Sequence, residues 1–266
     1  MTPTAGSLQA IFDEVRANPR RVVFAEGEEE KSIRAAYAFH DSGYGTPILV
    51  GREERVRTAM EKLGLGVAEG IEITNARLTS SLDDYTDILY KRLQRKGYLE
   101  RDCQRMVKRD RNVFAACMVA SGDADSMVTG LTRNYHVALS QITRVLSPAP
   151  NSIMFGLSLV LAGNRTFFVA DSAVHELPSP ADMATIAEQT AAFAREMGHD
   201  PKVALVSFAN FGQPALSRGK TVRLAVEELD KRDVDFEYDG EMGVDVAVNA
   251  ELLANYPFCR LTEPAN

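Results

Sequence analysis

The sequence is poor in the residues and motifs from which familiar reaction centres are built. Its three cysteines, Cys103, Cys117 and Cys259, are odd in number and far apart, and its four histidines (His40, His136, His175 and His199) are isolated. No Cys-x-x-Cys or Cys/His spacing gathers them, so no metal site is expected. Unpaired thiols suit a reducing compartment, and a cytoplasmic location is expected. No apolar run reaches the roughly 18 residues of a membrane span. The opening MTPTAGSLQAIFDEV has neither the basic nor the apolar region of a secretory signal. Also missing are G-x-G-x-x-G, G-x-x-x-x-G-K-[ST], G-x-S-x-G and H-E-x-x-H. With a formal net charge of −7 and a pI near 5.3, there is no general excess of positive charge to attract nucleic acid. One local exception spans Lys91 to Arg111, with nine Lys/Arg against Glu100, Asp102 and Asp110. It reads as a helix with a solvated basic face or as a surface toward phosphates.

What is present is an ordinary globular composition, 45% hydrophobic and 25% charged, in 266 residues. That is enough for one large domain or two of medium size. A short amphipathic helix is predicted over Ser7–Ala17, then a strand at Arg21–Ala25. A helix beginning after Glu30, with Ile33, Ala36, Tyr37 and His40 on one face, ends at Gly43, and Thr46–Val50 is the next strand. This strand–helix–strand order predicts a parallel sheet. A helix at Val56–Leu63, a strand at Ile71–Ile73, a long helical region from Ser81 to Ala120 broken near Gly97, and a strand at Asp123–Gly130 follow. Ser147-Pro-Ala-Pro-Asn151 is the strongest punctuation, and it divides the chain into expected α/β domains at 1–147 and 148–266. In the second, Ser152–Val160 and Thr166–Ala170 are predicted strands around a tight Gly163-Asn164 turn. Ser179 and Pro180 open a helix running to Met197, and Val203–Phe208 is a buried strand. A loop at Ala209–Gly219, a helix at Lys220–Leu229 and a strand-turn at Phe236–Glu241 complete the pattern. No repeats or low-complexity segments occur.

The stretch Arg111–Tyr135, RNVFAACMVASGDADSMVTGLTRNY, anchors the functional reading. Gly122 suits a helix C-cap, and small residues let something approach the following strand closely. Arg133, Asn134 and Tyr135 come just past that strand's end, where open α/β sheets place ligand contacts. A tight structural turn with a solvated Asp pair is the alternative. Other strand-end candidates are Glu26–Glu28, Asp123, Asp171–His175, Ser207–Gln213 (with Ser207 and Asn210) and Asp239–Glu241, all expected to converge on a cleft. Glu26, Asp171, Asp239 and Glu241 are either acid/base groups or caps. His175 is either oriented by Asp171 for chemistry or a structural hydrogen-bonding group.

Several segments together resemble the phosphate acetyl/butyryl transferases, or phosphotransacetylases: RVVFAEGEEE (21–30), YKRLQRKG (90–97), AACMVASGDADSMVTG (115–130), FVADSAVHELPS (168–179), VSFANFGQP (206–214) and DFEYDGE (235–241). GYGTPILVGRE, VTGLTRNY, DFEYDGEMGVDVAVN and YPFCRL resemble one branch, the phosphotransacetylase-like C-terminal region of hybrid NAD(P)-dependent malic enzymes. The resemblance implies two α/β domains of the isocitrate/isopropylmalate dehydrogenase-like architecture and a homodimer. It also implies transfer of an acetyl group between CoA and phosphate, with acetyl-CoA or CoA as ligand and no tightly bound cofactor. Active members continue after the GDAD motif into a helix bearing Arg-Pro-Ala, where this sequence has Ser140-Gln141-Ile142. Ser cannot replace a bidentate guanidinium. The family pattern also continues past Pro264-Ala265-Asn266 into a strand and helices that bring a Ser/Arg/Asp cluster, so the C-terminal part of the fold is expected to be missing. The resemblance thus leads to an acyl-CoA-sensing, oligomerising module accompanying a malic enzyme domain, with an active phosphate acyltransferase as the alternative.

Overall fold

The computed structural model describes residues 8–66, 69–213 and 217–266; Ser7 of the first predicted helix and 214–216 of the loop before Gly219 lie outside them. The chain gathers into two compact units, Gln9–Ser147 and Pro148–Asn266.

In the first unit, helix α1 (Leu8–Ala17) precedes strand β1 (Arg20–Phe24), α2 (Glu30–Asp41), β2 (Gly45–Val50), α3 (Glu53–Lys62) and β3 (Glu72–Thr74). Then come α4 (Leu82–Leu93), α5 (Glu100–Arg109), α6 (Arg111–Ser121), β4 (Ser126–Val128) and α7 (Tyr135–Ile142). All four strands are parallel, in the order β3-β2-β1-β4. Both faces are covered, as the alternation of side chains requires. Val23, Ala25, Ile48 and Val50 pack with Leu89, Cys103 and Phe114 on one face. Val22, Phe24 and Leu49 pack with Ile33 and Val56 on the other. The expected helical region 81–120 is three helices. Gly97 makes the first break at φ 85°. The second, unforeseen, is Asp110, whose carboxylate accepts from the Asn112 and Val113 N–H groups at 3.0 and 3.2 Å and starts α6. Gly122 caps α6 in the left-handed region, φ 85°. The strand after it is shorter than Asp123–Gly130 because the residues on either side turn away to form bonds described below.

In the second unit, β5 (Leu157–Ala162) and β6 (Arg165–Ala170) form an antiparallel hairpin around Gly163-Asn164. The first of these strands begins later than Ser152. Helix α8 (Pro180–Glu196) starts with a reciprocal cap, Ser179 Oγ accepting from the Asp182 N–H and the Asp182 carboxylate from the Ser179 N–H. Strand β7 (Lys202–Val206), α9 (Ser217–Asp230) and β8 (Glu237–Met242) follow, with β7 and β8 parallel. Phe208, expected in a buried strand, is 77% exposed because β7 ends at Val206. Helices α10 (Val244–Val248) and α11 (Ala250–Leu253) were not foreseen. At five and four residues they are too short to show a helical period. Among the described residues, no helix is long and apolar enough to cross a membrane.

Candidate functional site

At the C-terminal edge of the parallel sheet, β1 and β4 lie side by side, so the residues after Phe24 face those after Val128. Glu26 is buried there and turns its carboxylate onto the opposite loop. It accepts from the N–H groups of Gly130, Leu131 and Thr132 at 3.0, 2.6 and 2.8 Å, and from the Thr132 hydroxyl. Burial alone raises a carboxyl pKa, but these donors outweigh it and hold Glu26 below the usual carboxylate range. A group so engaged is an anchor and a poor base. Glu28 is also engaged, with the Arg52 N–H at 3.0 Å and the guanidinium groups of Arg52 and Arg55.

The same loop is tied from beneath. Thr129 Oγ1 donates to Asn112 Oδ1 at 2.5 Å, Asn112 donates to Gln141 Oε1 at 2.8 Å, and Gln141 donates to Asp110. Asn134 then caps α7, its Oδ1 accepting from the His136 N–H at 3.1 Å. Between these fixed points stand Arg133 and Tyr135, both exposed. Among the described residues, no hydrogen bond or ion pair engages the Arg133 guanidinium. Ser140 lies on the outward side of α7 with His136 and Val137, while Ala138 and Gln141 face inward. Asp123 is not part of this loop. It precedes β4 at the other end of the strand, where its Oδ2 accepts from the hydroxyls of Tyr85 (2.5 Å) and Ser121 (2.8 Å). Those bonds hold its pKa down, while burial and the neighbouring Asp123 push the Tyr85 hydroxyl well above the usual tyrosine range.

In the second unit the strand-end carboxylates are also bonded, apart from Glu241 Oε2, which is buried with no hydrogen-bond partner among the described residues. Asp171, just past β6, accepts from the N–H groups of Gly156 (2.8 Å), Ala173 (3.0 Å), Val174 (3.0 Å) and His175 (2.7 Å). Its Oδ2 also meets His175 Nδ1 at 2.7 Å. Against the penalty of burial, these bonds drive its pKa far below the usual range. His175 is therefore oriented by Asp171, inside a turn that Asp171 itself holds. Asp239 accepts from the N–H groups of Gly240 and Arg260, both at 2.8 Å. Glu241 is fully buried and accepts from the Gly212 N–H at 3.1 Å and from Arg223. Gly219 makes room for it: a Cβ there would stand 2.0 Å from Glu241 Oε2. Asn210 Oδ1 accepts from the Gly243 N–H at 2.6 Å and fastens its loop to the start of α10. Ser207 donates its backbone N–H to the Met242 carbonyl at 2.8 Å.

Asn134, Asp171 and Asn210 thus fasten backbone and Asp123 holds two side-chain hydroxyls, while Arg133 and Tyr135 are exposed. Reasoning from sequence missed Asn112, Thr129 and Gln141. Gln141 alone carried a signal, a polar residue in line with the buried Ala138 and Val145. Among the described residues, no three His, Cys, Asp or Glu side chains come together to hold a metal.

Residues 7–266 match the family described as phosphate acetyl/butaryl transferase. The chain is 51% identical over 265 residues to an NADP-dependent malic enzyme of Rhizobium meliloti, covering 99% of this chain and 35% of that protein. It is 28% identical to a phosphate acetyltransferase of Clostridium acetobutylicum, covering 93% and 76%. A solved phosphotransacetylase from Streptococcus pyogenes superposes with a TM-score of 0.86 at 28% identity, covering 98% of this chain and 80% of that one. The chain spans about a third of the length of the malic enzymes it matches. With nearly the whole sequence matched and the overall fold shared, the chain belongs to the phosphate acetyl/butaryl transferase family.

Proposed function

We propose that this chain is a phosphotransacetylase-like module that binds acetyl-CoA or a related acyl-CoA without transferring the acyl group. In this reading it is the regulatory and oligomerising part of a cytoplasmic malic-enzyme-type protein, works as a homodimer and has no tightly bound cofactor. Its architecture is the two-domain, isocitrate/isopropylmalate dehydrogenase-like one. The observation that carries the reading is the state of the strand-end carboxylates. Transfer between phosphate and CoA needs a base for the thiol and cations or amides for the phosphate. Glu26 and Asp171 have their oxygens taken by backbone amides and their pKa values lowered. Neither can take a proton near neutral pH without loosening its loop. Ser140 stands where the resemblance expects a guanidinium for phosphate. Arg133, in contrast, is exposed and, among the described residues, unengaged on a loop fixed at both ends, which suits a charge-assisted contact to a CoA phosphate. Tyr135 beside it offers a face and a hydroxyl to the nucleotide.

The second reading, an active phosphate acyltransferase, is favoured by the match to the Clostridium acetobutylicum enzyme. Thiol release from acetyl phosphate and CoA separates the two when run beside a calorimetric titration with acetyl-CoA. Binding with thiol consumption at background supports the module. Turnover lost on changing strand-end residues supports the enzyme, and no binding at millimolar acyl-CoA sinks the module.

A further inference from the structure

A buried chain of side chains decides which way the hydroxyl of Thr129 points, and its polarity is set from the far end. The Asp110 carboxylate only accepts, so the Gln141 amide turns its NH2 toward it. Gln141 Oε1 then faces Asn112, whose Nδ2 donates to it at 2.8 Å. That leaves Asn112 Oδ1 toward the loop after β4, where it takes the Thr129 hydroxyl proton at 2.5 Å. Asn112 and Gln141 are both buried, and a flip of either amide would set like groups against each other.

Thr132 is fixed in the same sense by a single bond. Its hydroxyl donates to Glu26, as do the N–H groups of Gly130, Leu131 and Thr132. From Thr129 to Thr132 the loop has therefore given away both hydroxyl protons and these three backbone N–H groups. No other bond to either hydroxyl oxygen occurs among the described residues. What the two hydroxyls keep are lone pairs, on a half-buried Thr129 and an exposed Thr132. A phosphate dianion offers only acceptors and gains nothing from them, so a ligand group meeting this edge must bring its own N–H or O–H. Arg133 follows at once, and Tyr135 two residues later.

We propose that Thr129 and Thr132 hold the amide-bearing arm of an acyl-CoA, their hydroxyl oxygens accepting from its N–H groups. The assignment rests on the reading that Arg133 and Tyr135 meet the phosphates and the nucleotide. The order of the ligand then matches the order of the loop: an acyl-CoA runs from amide arm to phosphates to nucleotide, and the loop runs from acceptors to cation to aromatic ring. The threonines add a selectivity that the guanidinium lacks. Arg133 attracts any phosphate, whereas the acceptor edge strengthens binding only for a ligand with donors ahead of its phosphates. Asn112 and Gln141 touch no ligand and are positioning residues, acting through Thr129.

The test is calorimetric titration of the full chain with two ligands, acetyl-CoA and adenosine 3′,5′-bisphosphate, which keeps nucleotide and phosphates and lacks the arm. Wild type is expected to bind both, acetyl-CoA more tightly. Thr132→Val, in which Glu26 keeps its three N–H bonds, is expected to weaken acetyl-CoA about three- to ten-fold and to leave the bisphosphate unchanged. Thr129→Val strips a buried Asn112 oxygen of its donor and is expected to show the same split, with Thr129→Ser recovering the affinity. Equal weakening of both ligands in the threonine variants overturns the proposal, because the threonines then only hold the loop. Unchanged acetyl-CoA affinity in both valine variants overturns it too, as does a wild type that binds the bisphosphate as tightly as acetyl-CoA. A bisphosphate left unbound at millimolar concentration while acetyl-CoA binds overturns the assigned order. Wild type that binds neither ligand sinks the reading of Arg133 and Tyr135 and the proposal with it, whereas binding of both with silent threonine variants sinks the proposal alone.

Discussion

Glu26 and Asp171 are both carboxylates just past a strand, both carry three or more backbone N–H bonds, and both have lowered pKa values. They differ in reach. Glu26 fastens residues 104, 105 and 106 positions away, joining the end of β1 to the loop after β4. Asp171 gathers mainly the residues that follow it, within four positions. The first bond set exists only once the parallel sheet has formed, so it belongs to tertiary structure and positions the Arg133 loop. The second is a local turn set beside a hairpin. Equal chemistry in the two places therefore implies unequal dependence on the rest of the fold.

That contrast is broken or sharpened by a graded series of variants. Glu26→Ala should be the most damaging, on the order of 3–5 kcal/mol in denaturant unfolding, because it strands several buried donors at once. It should also weaken acetyl-CoA binding by loosening the Arg133 loop. Asp171→Ala should cost less, about 2–3 kcal/mol, because Ala173 is exposed and water can replace part of the lost bonding. An Asp171→Ala cost equal to or above that of Glu26→Ala would remove the distinction.

Acid should act next. Both carboxyls have folded pKa values below their unfolded ones, so the unfolded state binds more protons as pH falls. Their contribution is therefore complete above about pH 5 and decays as pH drops through about 4 and below. Unfolding free energy measured against pH should show this acid limb, and Asp171→Ala should flatten part of it. A wild-type curve flat from about pH 6 to 3 would contradict the assignment.

The same contrast explains what could be read from the sequence. The Ser179 N-cap, the Gly163-Asn164 turn, the Gly122 cap and the parallel character of the first sheet all rest on neighbours or short spacings, and all were legible; the return bond from Asp182 and the strand order were not foreseen. The Asp110 break and helices α10 and α11 were hidden by their brevity. Glu26 was recognisable as a strand-end acid, but its partners lie too far along the chain for spacing to choose between anchor and base. The Thr129–Asn112–Gln141 chain joins three separate elements and had no local signature beyond one misplaced Gln.

Arg133→Ala should have the smallest effect on stability, within about 0.5 kcal/mol, because the side chain is exposed and makes no bond among the described residues. The most direct test of the account follows from that near-silence: calorimetric titration of acetyl-CoA into wild type and Arg133→Ala, with Tm recorded for both. The account predicts an unchanged Tm and an affinity weaker by about ten-fold, the loss of one charge-assisted contact. Equal affinity of the two proteins for acetyl-CoA would contradict it.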